Sequence, residues 1–155
     1  MNELTLTNPV FLTYAIAASL MVLKIMLQGW VTVVQMMSNN GGFVNPEDAK
    51  AGPANPKPRA GQLDINDKVD RSRRIHRNDL ENIPAFLAIG LLFALINPPL
   101  AAAQGLLYGF VAARLLHTLA YSTAQRHEVR ATFYSIGSLI VIAMAVWVLF
   151  AALHA

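Results

Sequence analysis

The sequence predicts an all-α fold: one integral membrane domain over residues 1–155, built as an up-down-up-down bundle of four helices. Three observations predict it. Hydrophobic residues make up 55% of the chain and charged residues 14%, with a mean hydropathy of +0.43, well above an ordinary soluble domain. That surplus is gathered into four long apolar runs of membrane-spanning length. The connections Asn97-Pro98-Pro99 and Thr123 to His127 are too short for the helices they join to lie other than antiparallel.

The first helix is expected over about residues 9–37, with Pro9 tolerated in its first turn. Met1 to Asn8 has no basic n-region, and the apolar run that follows is too long for a cleaved signal peptide, so it is kept as a span. Lys24, Gln28 and Gln35 interrupt this helix. At mid-span a lysine facing lipid costs about 3 kcal/mol, so Lys24 is expected to face the bundle interior. Residues 38–69 form an exposed loop, marked by Gly41-Gly42, Pro53, Pro56 and Pro58. Within it, Asn45-Pro46-Glu47-Asp48-Ala49 reads as a turn opening a short helix. The second helix is expected over 70–97, capped by Asp70 or Ser72, with Pro84 kinking it one turn after Glu81 and freeing the carbonyl of Leu80. The third covers 100–122. The fourth covers 128–153, with Glu128 at its positive end.

Orientation follows from the basic residues. Most of the 12 Lys and Arg fall in the long first loop and the helix start after it, and Arg126 sits in the last link. The turn between the second and third helices and both termini have none. The two basic loops are therefore expected in the cytoplasm. Trp30 and Trp147 then fall near opposite interfaces, as an aromatic belt would.

This topology brings three polar stripes to one depth. Arg74, Asn78 and Glu81, with Arg73 and Arg77 beside them, recur at helical spacing on the second helix. Arg114, His117 and Tyr121 do so on the third, and Arg130, Tyr134 and Ser138 on the fourth. Lipid exposure of Arg77, Asp79 and Glu81 would cost about 8 kcal/mol at mid-bilayer. The apolar run Ile83 to Ile96 returns only about 4 kcal/mol on the same basis. The expectation is an internal polar pocket open to the cytoplasm, with Asp79 facing away from Glu81's stripe as a structural, capping or helix-pairing acid. Several guanidiniums with one acid suit a small zwitterion bearing more than one carboxylate, and they favour a thiolate over a thiol. Tyr121 and Tyr134 add hydrogen-bond donors. The chain has no cysteine, which excludes a catalytic thiol, disulfides and thiolate metal sites. No zinc helix motif, phosphate-binding glycine loop or Ser/His/Asp arrangement is present. No metal and no nucleic-acid partner is expected, and His76 with His117 do not make a metal site.

Arg73-Arg74-Ile75-His76-Arg77-Asn78-Asp79-Leu80-Glu81-Asn82-Ile83 resembles the signature of the MAPEG family, membrane-associated proteins in eicosanoid and glutathione metabolism. The likeness extends to residues 43–49, to Arg114, His117 and Tyr121, and to Arg130-Ala131 with Tyr134. It is more similar to the glutathione transferase branch than to the prostaglandin E synthase branch. The resemblance implies a homotrimer of four-helix subunits with glutathione, the co-substrate, bound between neighbours. It implies glutathione contacts at Arg73, Arg74, His76, Arg77, Asn78, Glu81, His117, Tyr121, Arg130 and Tyr134, and Arg114 is counted with them from the pocket reading. Glu81 would meet the ammonium and the arginines the carboxylates. Arg130 would stabilise the thiolate, assisted by Asp48.

The chain departs from the family in places. Ala131 stands where the synthase branch has a serine, Arg77 is a synthase feature, and Ser38-Asn39-Asn40 stands where a basic residue is frequent. The function expected is a membrane glutathione transferase, with glutathione peroxidase activity beside it, that attacks hydrophobic electrophiles drawn from the bilayer. The alternatives are a glutathione-dependent lipid-peroxide isomerase and a non-enzymatic transporter or scaffold.

Overall fold

The computed structural model describes residues 4–154, so Met1 to Glu3, part of the segment read above as lacking a basic n-region, lie outside the described residues. It is all-helical: α1 (Pro9–Asn39), a single 3₁₀ turn (Pro46–Ala49), α2 (Asp67–Leu95), α3 (Leu100–Ser122) and α4 (His127–Leu153). All four α-helices are long and apolar enough to cross a membrane.

Side-chain pairs show how the helices run. On α1 and α2, Tyr14 meets Leu87, Lys24 meets Asp79 and Gln28 meets Ser72, so the two are antiparallel. On α2 and α3, Arg114 meets Asn78 and Arg71 meets the carbonyl of Tyr121, again antiparallel. The α2–α3 turn is tied back to the start of α1 by Asn8 Nδ2 donating to Asn97 Oδ1 at 3.2 Å. α2 and α3 each lie against all three other helices, whereas α1 and α4 do not touch.

The core lies in the half of the bundle towards this turn. Met21, Ile83, Phe86, Phe93, Leu107, Phe110 and Met144 are all 0% exposed. Phe86 and Phe110 stack with centroids 4.1 Å apart and planes at 3°, and Phe93 meets Trp147 edge-on. Gly90 lets Tyr14 approach: a Cβ there would sit 3.1 Å from the ring. The other half of the bundle holds the polar groups.

Several helix ends differ from the sequence expectation. α2 is capped by Asn66, whose side chain accepts from Lys68 N and Val69 N, instead of by Asp70 or Ser72. Asp70 lies one turn inside. Ser72 is buried and shares hydrogen bonds with Gln28 and Thr32 of α1. α2 also stops earlier, at Leu95, where Asn97 takes a left-handed φ of 48° before the proline pair. α1 runs on to Asn39 and closes on left-handed Asn40. α2 passes through Pro84 without interruption.

The loop between α1 and α2 is held by its own polar contacts. Asn55 and Gln62 exchange two amide hydrogen bonds of 2.9 and 3.1 Å, and Gln62 also donates to Asn40. Arg59 donates to the carbonyls of Asn39 and Asn40, placing a cation at the negative end of α1, whose last turn has no basic residue.

Candidate functional site

The site is built where α2 begins, α3 ends and α4 begins. Arg71 Nη1 donates to the carbonyl of Tyr121 at 3.3 Å, tying the first turns of α2 to the last turn of α3. From α4, the Arg130 guanidinium lies 4.5 Å above the ring of Tyr121. His117, one turn earlier on α3, packs against the same ring with centroids 5.3 Å apart. Arg71, Arg74, Tyr121, Gln125 and Arg130 thus line an open cleft of about 430 Å³. Arg74 is ion-paired with Asp70, one turn back on the same helix, and is half exposed. Such a pair adds little to stability and leaves the guanidinium free to turn towards an anion. Three cations on one phenol-floored cleft can take a small polyanion and hold a deprotonated sulfur or oxygen.

Directly behind the cleft lies a buried charge cluster. Asp79 is fully buried, and its two oxygens accept from opposite sides: Oδ2 from Lys24 Nζ at 2.5 Å and Oδ1 from Arg114 Nη2 at 2.7 Å. Lys24 therefore faces the bundle interior, and Asp79 joins α1, α2 and α3. Arg114 Nη2 also donates to Asn78 Oδ1 at 2.7 Å. The Arg114 Nε and Nη1, His117 Nδ1 and Arg130 Nε atoms are buried with no hydrogen-bond partner.

A second cleft, of about 530 Å³, opens between α1, α2 and the end of α3, where Gln28, Gln35, Lys68, Arg71 and Thr123 are among its walls. Arg71 thus serves both clefts. It is not among the site residues expected from the sequence. Its signal was present in the three-residue spacing to Arg74, which puts both on one side of α2.

Of the residues singled out from sequence, the fold gathers Arg74, Tyr121 and Arg130 in one cleft, with Asn78, Arg114 and His117 just behind. Arg114 is 0% exposed and turned to Asn78 and Asp79, so in this subunit it faces no open space. Arg73 points away, donating to Gly42 O at 2.6 Å and Met36 Sδ at 3.2 Å, which places a second cation beside the end of α1. His76 packs against Gly29 of α1. Asp48 sits exposed on the 3₁₀ turn, accepting from Asn45 Nδ2 at 3.1 Å, and lines neither cleft. Arg77, Glu81 and Tyr134 are exposed on the outside of the bundle.

The MAPEG family model matches residues 14–150. The chain is 37% identical over 138 residues to microsomal glutathione S-transferase 1 of Rattus norvegicus, covering 89% of this chain and 88% of that one. It is 35% identical over 147 residues to the Sus scrofa protein of the same name, covering 94% of each. With prostaglandin E synthase of Homo sapiens it shares 29% identity over 154 residues, covering 97% of this chain and 95% of the other. The match takes in α2, α3 and the start of α4, the segments that build the cleft, and the chain belongs to the MAPEG family.

Proposed function

We propose that this chain is a membrane-bound glutathione transferase that holds glutathione as a thiolate and presents it to hydrophobic electrophiles from the bilayer. The observation that carries this is one cleft lined by Arg71, Arg74 and Arg130, with Arg130 over the Tyr121 ring and Arg71 bonded to the Tyr121 carbonyl, where three helices converge. Arg74 and Arg71 take the two carboxylates of the tripeptide, and Arg130 stabilises the sulfur anion. The thiol proton leaves to solvent before attack. The sulfur then forms its bond to an electrophilic carbon, and the leaving group departs with its electron pair. Rate comes from thiolate stabilisation and from holding the two reactants together. The same thiolate accounts for a peroxidase activity, in which two glutathiones reduce a hydroperoxide to alcohol and water and leave as the disulfide.

Arg77, Glu81 and Tyr134 join the site in a homotrimer, where a neighbouring subunit covers the outer face of α2. There Glu81 meets the glutathione ammonium, with Arg73, His76 and Asp48 at the cytoplasmic rim. The similarity to prostaglandin E synthase favours a second reading, a glutathione-dependent isomerase of lipid peroxides. Ala131 supplies no hydroxyl beside Arg130 for such a step.

The test is Arg130→Ala with a chlorodinitrobenzene substrate. Turnover falls by about 100-fold, the scale for losing one stabiliser of a developing anion, while the assembly keeps its size. Unchanged turnover would sink the site.

A further inference from the structure

The structure holds a charge imbalance inside the bundle that the reaction above does not use. Lys24 and Arg114 are both cations, Asp79 is one anion, and the three are joined by contacts of 2.5 and 2.7 Å. Two of these residues are fully buried and the Lys24 side chain is 8% exposed. If Asp79 served only to neutralise one helix partner, a single cation would suffice. The second cation leaves a surplus of one positive charge, in a medium where charge is poorly screened.

The cluster and the cleft share α3, which carries Arg114 of the one and Tyr121 of the other. Arg114 holds Asn78. His117 follows Arg114 by one turn of α3 and packs on Tyr121, the ring that the Arg130 guanidinium covers. We propose that the Lys24–Asp79–Arg114 cluster is an electrostatic support for the bound glutathione sulfur, with Lys24 supplying from α1 the charge that biases it towards the thiolate. Lys24 is thus a positioning residue that acts at a distance and touches neither reactant. The inference rests on the glutathione reading given above. The charged and titratable groups around the sulfur are then Lys24 from α1, Arg71, Arg74 and Asp79 from α2, Arg114, His117 and Tyr121 from α3, and Arg130 from α4.

The sign can be worked out. Positive charge near a thiol favours its deprotonated form, so removing it raises the midpoint of thiol titration. A unit charge about 10 Å away at an effective dielectric of about 20 moves a midpoint by about one pH unit.

The experiment titrates the ultraviolet thiolate absorbance of glutathione bound to the purified full-length protein, in three forms. In Lys24→Met the cluster becomes neutral, and the midpoint rises by about one pH unit. In the double variant Lys24→Met, Asp79→Asn the surplus returns, carried by Arg114 alone, and the midpoint comes back towards wild type. A merely structural role predicts the reverse ranking, because the double variant loses more native contacts. Lys24→Gln, which keeps a donor for Asp79, gives the same displacement as Lys24→Met should the methionine variant not fold. A midpoint unmoved in the neutral variants, or a double variant no closer to wild type than Lys24→Met, overturns the proposal. Absence of any thiolate band in the wild-type protein overturns the glutathione reading itself and this proposal with it.

Discussion

Asp79 shows how much one side chain can decide in this bundle. Its carboxylate is shared between α1 and α3, and no polar group from solvent reaches it. Replacing it alone by alanine would strand two cations inside the membrane half of the bundle. Breaking a buried pair by removing one partner costs about 3–5 kcal/mol. Asp79→Ala is therefore expected to yield little assembled protein, measured as the folded fraction after detergent extraction. Arg74→Ala removes only an exposed pair with Asp70 and leaves the folded fraction within experimental error, while weakening glutathione binding. Equal yields for the two variants would contradict the division drawn here between a structural acid and a ligand-facing arginine. That these two side chains point different ways was legible from spacing, because Asp79 falls off the stripe of Arg74, Asn78 and Glu81. The direction of Arg114 was not. Its spacing to His117 and Tyr121 puts it on the pocket face, but only the fold shows that Asp79 and Asn78 claim its guanidinium first.

The helices themselves were readable wherever proline and glycine punctuate the chain. Pro98-Pro99 stops α2 and starts α3, and neither needs tertiary information. The start of α2 did need it. Asn66, Asp67, Asp70 and Ser72 can all cap a helix, and the choice falls to Asn66 because Val69 is buried against the loop. There Gly42, at a φ of 73°, approaches so closely that an added Cβ would lie 3.0 Å from that of Val69. Two substitutions separate these effects. Asn66→Ala loses the cap and costs about 1 kcal/mol. Gly42→Ala is expected to cost more, because it combines a left-handed backbone with a clash against a buried side chain. Both are read as shifts in thermal unfolding midpoint. A Gly42→Ala protein as stable as wild type would mean that the loop does not set the register of α2.

Seen as a whole, one subunit is incomplete as a membrane object. Arg77 and Glu81 stand exposed on the outside of α2, only a few residues before the apolar run that begins at Ile83. Left against lipid, each charge costs up to about 3 kcal/mol, the upper limit applying at mid-bilayer. In the trimer proposed above, a second copy covering that face would remove the cost. Spacing puts the arginines near a common side of α2, but only the fold shows that Arg71 and Arg74 line the cleft while Arg77 and Glu81 stand outside it. The number of copies is then a direct test. Native mass measurement from mild detergent is expected to give three chains, and Glu81→Ala to keep that number while losing glutathione turnover. The separation matters, because a residue that merely glued subunits together would lose both. A single-chain mass for fully active protein would leave Arg77 and Glu81 facing acyl chains and would remove the shared site altogether.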